Sequence, residues 1–65
     1  GYKELLTMIT ELPPGFRTVF NMYAIEGYSH KEIGEMLGIS ETTSRTQLSR
    51  ARLWLQKKIK EKENV

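Results

Sequence analysis

Apolar residues recur at helical spacing along the 65-residue chain, and they predict four helices and no strand. The first helix is expected over about residues 2–10. Its apolar residues, all predicted to lie on one buried face, are Leu5, Leu6, Met8 and Ile9. Pro13 and Pro14 then separate it from a second helix, because proline lacks a backbone donor and fixes φ. The second helix begins near Pro14 and ends before Gly27. Its predicted apolar stripe comprises Phe16, Val19, Phe20, Tyr23 and Ala24.

Two further helices follow, each with a recognisable first residue. Ser29 and Glu32 have the capping-box spacing, which predicts the start of a third helix. Its expected buried face consists of Ile33, Met36 and Leu37. Gly38 ends this helix, and Ser40 is predicted to cap a fourth helix that runs from Glu41 to about Lys62.

The three-residue break at residues 38–40 makes the last two helices a helix-turn-helix unit over about residues 29–52. Gly34 allows a close helix crossing, and Ile39 fills the corner between the helices. The fold prediction is therefore all-α: a compact four-helix domain with a helix-turn-helix and a long C-terminal recognition helix. The alternative is a helical hairpin in a protein-binding bundle.

The fourth helix is predicted to have two different faces. At about 100° per residue, the core face carries Ser44, Leu48, Ala51, Leu55 and Ile59. Much of the opposite side carries Thr42, Arg45, Thr46, Ser49, Arg50 and Leu53. Arginine can bind a guanine edge or a phosphate, and short hydroxyl residues let a helix approach the major groove closely. An ordinary solvated polar face is the alternative.

Charge distribution favours a polyanionic partner. Residues 1–40 contain three basic and five acidic residues, whereas residues 41–65 contain seven basic and three acidic residues. The chain has no cysteine and one histidine, so we expect no metal site and no cofactor. A chain of this size, without a nucleophile or paired carboxylates, is not expected to be an enzyme or to bind a small-molecule substrate. It carries no membrane-spanning stretch, and a cytoplasmic location is expected.

The segment "EIGEMLGIS", followed at the right distance by "LSRAR", resembles the C-terminal region 4 of sigma-70 family RNA polymerase sigma factors. The closest type is the extracytoplasmic-function group, and the resemblance covers residues 11–60. It implies sequence-specific binding of the upstream (−35) element of promoter DNA during transcription initiation. The implied partners are core RNA polymerase, through its β flap, and an anti-sigma factor. Residues 1–65 would then form a single domain that is a fragment of a longer protein.

Mapping the family motif onto this chain gives candidate site residues. Those expected to read bases are Arg45, Thr46, Ser49 and Arg50. Those expected to bind phosphates are His30, Lys31, Ser40, Thr42 and Thr43. For His30, simple exposure is the stronger alternative, and for Thr42 and Thr43 it is a plain preference for a helix start. Tyr23 is expected in the core, Trp54 in packing or at the polymerase-facing surface, and Arg52 in an ion pair or on DNA.

Three positions depart from the family pattern, which has glycine, valine and arginine where this chain has Thr42, Ser44 and Gln47. The Ser44 hydroxyl needs a partner on the core face, and the backbone carbonyl one turn back is the candidate.

Two other functions are compatible with the residues. One is a response-regulator type of helix-turn-helix regulator, although the charged residues 53–65 argue against a dimer seam. The other is a helical module that binds polymerase or an anti-sigma factor without reading DNA.

Overall fold

The computed structural model describes residues 1–63, and it confirms the all-α prediction. The helices are α1 (Tyr2–Thr10), α2 (Pro14–Phe20), α3 (His30–Leu37) and α4 (Glu41–Glu63). A π-helical turn (Asn21–Ile25) continues α2. Residues 1–63 contain no strand. Residues 64 and 65 of the predicted domain lie outside the described residues.

Helix α4 is the element around which the others pack. One apolar cluster brings its Ala51 and Leu55 together with residues of α1 and the α1–α2 turn, namely Met8, Ile9 and Leu12. A second cluster packs its Leu48 against Val19, Met22 and Ile33. Phe20 contacts both clusters and joins them. The core is therefore a row of side chains along one face of α4, as predicted for Leu48, Ala51 and Leu55.

Several apolar residues predicted to be buried are not. Leu5 and Leu6 of α1, Met36 and Leu37 of α3, and Ile59 of α4 are between 38% and 56% exposed. The molecule measures 41 × 18 × 15 Å and is therefore thin along two of its three axes. Each short helix buries only the narrow strip that touches its neighbours, and the rest of its apolar stripe remains at the surface.

The end of the second helix also differs from the prediction. The Glu26 N–H donates to the Asn21 carbonyl five residues back, so the chain from Asn21 forms a π turn and not another α-helical turn. A π turn encloses one more residue per hydrogen bond than an α-helical turn. Within it Met22 is buried, whereas Tyr23 and Ala24, both predicted for the apolar stripe, are exposed.

The two helices of the helix-turn-helix begin and end at the predicted cap and turn residues. Ser29 caps α3 through the predicted capping box, with its hydroxyl accepting from the Glu32 N–H at 3.1 Å. Gly38 adopts the left-handed conformation, with φ of 69°, and turns the chain into α4. Ile39 is half-buried and packs against the second cluster. These interactions fix the direction in which α4 leaves the turn.

Candidate nucleic-acid interface

The two faces predicted for α4 are present. Its buried residues are Ser44, Leu48, Ala51 and Leu55. The residues predicted to face DNA are all exposed: Thr42, Arg45, Thr46, Ser49 and Arg50. We call these five exposed residues the α4 front. Because Thr46 and Ser49 are short and lie between the two arginines around the helix, the backbone of α4 can approach a flat or concave partner closely.

The exposed face of α4 continues past the α4 front, to Leu53, which was also predicted for this face, and to Lys57. Leu53 lies one turn after Ser49 and is 64% exposed, and Lys57 follows one further turn along the helix. This exposed face therefore runs from hydroxyl groups near the helix start to an apolar and then a basic side chain. Its character changes from hydrogen-bonding to cationic with increasing distance from the turn.

Arg45 is held by an acidic neighbour on its own helix. Its Nη2 lies 3.0 Å from Oε2 of Glu41, one turn earlier, and both side chains are about half exposed. Exposed pairs of this kind contribute little to stability. Glu41 does, however, place a negative charge beside the first predicted base-reading residue, so a phosphate must compete with it for Arg45.

Ser40 caps α4 as predicted. Its hydroxyl oxygen accepts from the Thr43 N–H at 2.9 Å, and the hydroxyl group donates to Oγ1 of Thr43 at 2.8 Å. The Ser40 hydroxyl proton is therefore used within the cap. Thr43 keeps its own hydroxyl proton, so it is the better placed of the two to donate to an external acceptor.

A shallow groove of about 580 Å³ lies beside the start of α4. The π turn, the N-terminus of α3 and the first turns of α4 form its walls, with Tyr23, His30, Lys31, Glu41 and Arg45 among the lining residues. The groove thus brings two of the predicted phosphate-binding residues, His30 and Lys31, next to a predicted base-reading residue. The imidazole of His30 and the basic side chains of Lys31 and Arg45 therefore lie together at one edge of the α4 front.

His30 is not simply exposed, which corrects the stronger alternative considered for it. It is partly buried, and its ring stacks on Tyr23 with centroids 4.3 Å apart and an angle of 12° between the planes. Its Nδ1 lies 2.8 Å from the hydroxyl oxygen of Ser44. The Ser44 hydroxyl, expected to pair with a backbone carbonyl, therefore pairs with an imidazole from the preceding helix.

The environment of His30 disfavours its charged form. Partial burial is the main cause that lowers its pKa below the ordinary value of 6.5, followed by the nearby positive charge of Arg45. Glu41 acts in the opposite direction and Arg52 adds a smaller lowering effect. Sequence patterns did not reveal this arrangement, although a lone polar residue on the core face of α4 was the signal that something had to pair with it.

The remaining candidates take structural positions. Trp54 packs against the cluster formed by α1 and α4, and Lys58 Nζ lies 5.3 Å from its ring centroid. Arg52 is exposed and makes no ion pair within residues 1–63, so the predicted internal pair is absent there. The Oε1 atom of Gln47 is buried without a hydrogen-bond partner and points toward Gly15 at the start of α2.

The sequence of α1 to α3 and of the first part of α4 matches a known family model. The model for sigma-70, region 4, matches residues 2–55. The chain belongs to the sigma-70 region 4 family. This confirms the resemblance seen in the helix-turn-helix. Neither a curated protein nor a solved structure matches the chain.

Family membership identifies the general role of this region 4 domain. The family is a DNA-binding, non-catalytic one that acts in transcription initiation and binds promoter DNA and core RNA polymerase. Within residues 1–63, no helix has the length and apolar character required to cross a membrane. The same residues contain no group of three or more potential metal ligands.

Proposed function

We propose that this region 4 domain reads the upstream (−35) promoter element in the major groove, as part of an extracytoplasmic-function type sigma factor in cytoplasmic RNA polymerase holoenzyme. The observation that carries the proposal is the exposed α4 front, which lies on the second helix of the helix-turn-helix, directly after the turn, and consists of arginine and hydroxyl residues. A major groove about 12 Å wide admits one α-helix.

Base recognition is assigned to four residues of the α4 front: Arg45, Thr46, Ser49 and Arg50. Arginine can donate two hydrogen bonds to the O6 and N7 atoms of guanine, whereas serine and threonine bind several base edges. Arg50 forms no ion pair within residues 1–63 and can engage a base directly. Arg45 must first leave Glu41, so its contribution includes the loss of that exposed pair.

Phosphate binding is assigned to the groove and to the start of α4. His30 and Lys31 lie at one edge of the α4 front, and Ser40, Thr42 and Thr43 surround the positive end of the helix dipole. Such contacts fix the register of the helix on the duplex but carry no sequence information themselves.

The proposed partners compensate for the low affinity expected of so small an interface. A single module of this kind buries about 600–1,000 Å² of protein surface on DNA, so its affinity alone is modest. Docking on the β flap of core polymerase would hold the domain near the promoter and raise its effective concentration. An anti-sigma factor that covers the domain would prevent both contacts.

A selection experiment tests base reading. The original chain is incubated with random-sequence duplexes at low and moderate salt. Arg50→Ala, Lys57→Ala and the charge-matched remote control Lys3→Ala are each tested separately in the same way. We expect one sequence to be enriched, and Arg50→Ala to flatten the preference. Lys57→Ala should weaken binding to all duplexes alike and reduce the salt dependence, because Lys57 lies beyond the residues assigned to base reading and its positive charge attracts the phosphate backbone of any duplex. Lys3→Ala should change neither property.

A second candidate function is supported by the exposed apolar residues. Leu5, Leu6, Met36 and Leu37 remain 40–56% exposed on α1 and α3, as in a module that binds protein alone. This candidate predicts that Arg45→Ala and Arg50→Ala leave promoter-dependent transcription unchanged. If no duplex is enriched at either salt concentration, this candidate replaces base reading.

A further inference from the structure

Three side chains from three different elements form a row beside the α4 front. Tyr23 of the π turn stacks on His30 at the start of α3, and His30 in turn contacts Ser44 of α4 at 2.8 Å. Tyr23 is 36% exposed, His30 is partly buried and Ser44 is fully buried. The row therefore leads from the groove at the surface to the core face of α4.

The contact between His30 and Ser44 links the protonation of the imidazole to the direction of the Ser44 hydroxyl. The Ser44 hydroxyl has no solvent exposure, and His30 Nδ1 is its hydrogen-bond partner within residues 1–63. When the neutral imidazole carries its proton on Nε2, Nδ1 accepts from the Ser44 hydroxyl and gives this buried hydroxyl proton an acceptor.

Protonation of His30 requires a different arrangement. In the imidazolium both nitrogens are donors, so Nδ1–H must donate to the Ser44 oxygen and the Ser44 hydroxyl proton must turn to another acceptor. The Ser40 carbonyl, one turn earlier, already accepts from the Ser44 N–H at 3.0 Å. Serine hydroxyls commonly bind such a carbonyl in helices. The row thus has two hydrogen-bonding states that differ by one proton.

The charged groups around His30 come from every element packed against it. Tyr23 is contributed by the π turn, Lys31 and Glu32 by α3, and Glu41, Arg45 and Arg52 by α4. In the free domain, partial burial and the two arginines lower the pKa of His30, against the smaller effect of Glu41. The neutral imidazole therefore predominates at neutral pH in the free domain.

We propose that this domain takes up one proton at His30 when it binds DNA, with the Ser44 hydroxyl changing from donor to acceptor. The inference rests on the proposed DNA-binding function. A phosphate in the groove would stabilise the imidazolium by charge, and solvent supplies the proton. DNA binding by this domain then strengthens as the pH falls.

The direction and size of the effect follow from linkage. If a bound phosphate raises the pKa of His30, affinity increases as the pH falls through the bound-state value and becomes constant below the free-state value. Each unit of difference between the two values corresponds to about tenfold in affinity. The chain has one histidine and no cysteine, so few other groups titrate between about pH 5.5 and 7.5.

The test measures proton uptake and affinity with the 65-residue chain and a mixed-sequence duplex at low constant salt. Calorimetry in buffers of different ionisation enthalpy gives the number of protons taken up. Fluorescence anisotropy between about pH 5.5 and 8 gives the affinity. We expect net uptake near pH 7 and an increase in affinity toward low pH. Zero uptake at every pH, with DNA still bound, overturns the proposal and leaves the proposed function intact. Absence of any duplex binding overturns both.

Two substitutions of His30 separate charge from structure. His30→Asn keeps an acceptor near the Ser44 hydroxyl, and His30→Gln keeps a donor that can reach a phosphate. Neither asparagine nor glutamine titrates, so both variants should lose the increase in DNA affinity toward low pH. At high pH, His30→Gln should bind DNA more tightly than His30→Asn. A wild-type pH profile in either variant contradicts the proposal.

Ser44→Ala tests the role of Ser44 as a positioning residue. Protonation of His30 in this variant no longer displaces a hydroxyl donor, so the affinity increase should shift to higher pH. A purely structural role for Ser44 would weaken binding at all pH values equally. NMR titration of the His30 ring signals in the free and the DNA-bound chain measures the change in the pKa of His30 on binding directly. It needs no substitution.

Discussion

Gly34 of α3 and the carbonyl oxygen of Ile39 approach so closely that no side chain fits between them. A Cβ atom placed on Gly34 would lie 2.6 Å from this oxygen and 3.5 Å from the Glu41 nitrogen. The clash would be with backbone atoms of the turn, which cannot rotate away as a flexible side chain can. Because glycine has no side chain, the turn can fold back closely on α3 at Gly34, and this close approach sets the angle of α4.

We predict that Gly34→Ala lowers the free energy of unfolding by about 1–3 kcal/mol, as for overpacked sites, despite the better helix propensity of alanine. Urea unfolding followed by circular dichroism measures the change. Gly15→Ala in α2 is the matched control, since its nearest contact would be Gln47 Oε1 at 3.9 Å. The control should be neutral or stabilising by up to about 1 kcal/mol. Equal stability of the two variants would show that the turn can move.

We predict that Ser40→Ala lowers stability by about 1 kcal/mol, because the Thr43 N–H loses the capping oxygen at 2.9 Å. Thermal unfolding of the chain checks this value. Ser49→Ala is the control, since Ser49 is exposed inside α4 and alanine has the higher helix propensity. Ser49→Ala should therefore be at least as stable as the original chain. If Ser40→Ala unfolds at the same temperature as the original chain, the cap contributes nothing to stability.

Local interactions could be predicted from the sequence. The capping box of Ser29 and Glu32, the left-handed Gly38 and the Ser40 cap each depend on residues no more than four positions apart. Residue type and spacing therefore determine them with little help from the rest of the fold. The two-sided character of α4 followed in the same way from its helical repeat.

Features that depend on distant residues were not predictable. His30 and Ser44 are 14 positions apart, and Tyr23 of the π turn stacks on the same imidazole. Leu5 and Leu6 have suitable spacing for burial, but spacing does not indicate how many neighbours cover a helix. In this thin domain the neighbours cover only Met8 and Ile9 of α1. The exposed apolar surface and the groove are thus properties of the assembly of helices.

We predict that Glu41→Gln increases affinity for duplex DNA by about two- to fivefold, comparable to the 0.2–1 kcal/mol of an exposed ion pair. The substitution releases Arg45 from the pair at 3.0 Å and removes a negative charge from the groove. Anisotropy titrations at low salt measure the effect, which should decrease at high salt. Glu4→Gln makes the same charge change in the first turn of α1 and should have little effect. Equal gains in both variants would assign the effect to net charge alone.

The last prediction concerns the capping box at the start of α3. Glu32 accepts from the Ser29 N–H at 3.0 Å, and this backbone hydrogen bond is the main cause that lowers its pKa below 4.5. A lowered folded-state value means that ionised Glu32 stabilises the fold above pH 4.5, and that this stability is lost as the pH falls through the folded-state value. Glu32→Gln keeps an acceptor for the Ser29 N–H but cannot titrate. The stability difference between the original chain and Glu32→Gln should therefore be constant above about pH 5 and decrease in more acidic solution. Urea unfolding at a series of acidic pH values measures it, with Glu35→Gln on the same helix as the charge-matched control. A difference that does not change with pH would show that the Glu32 carboxylate charge adds nothing to the cap.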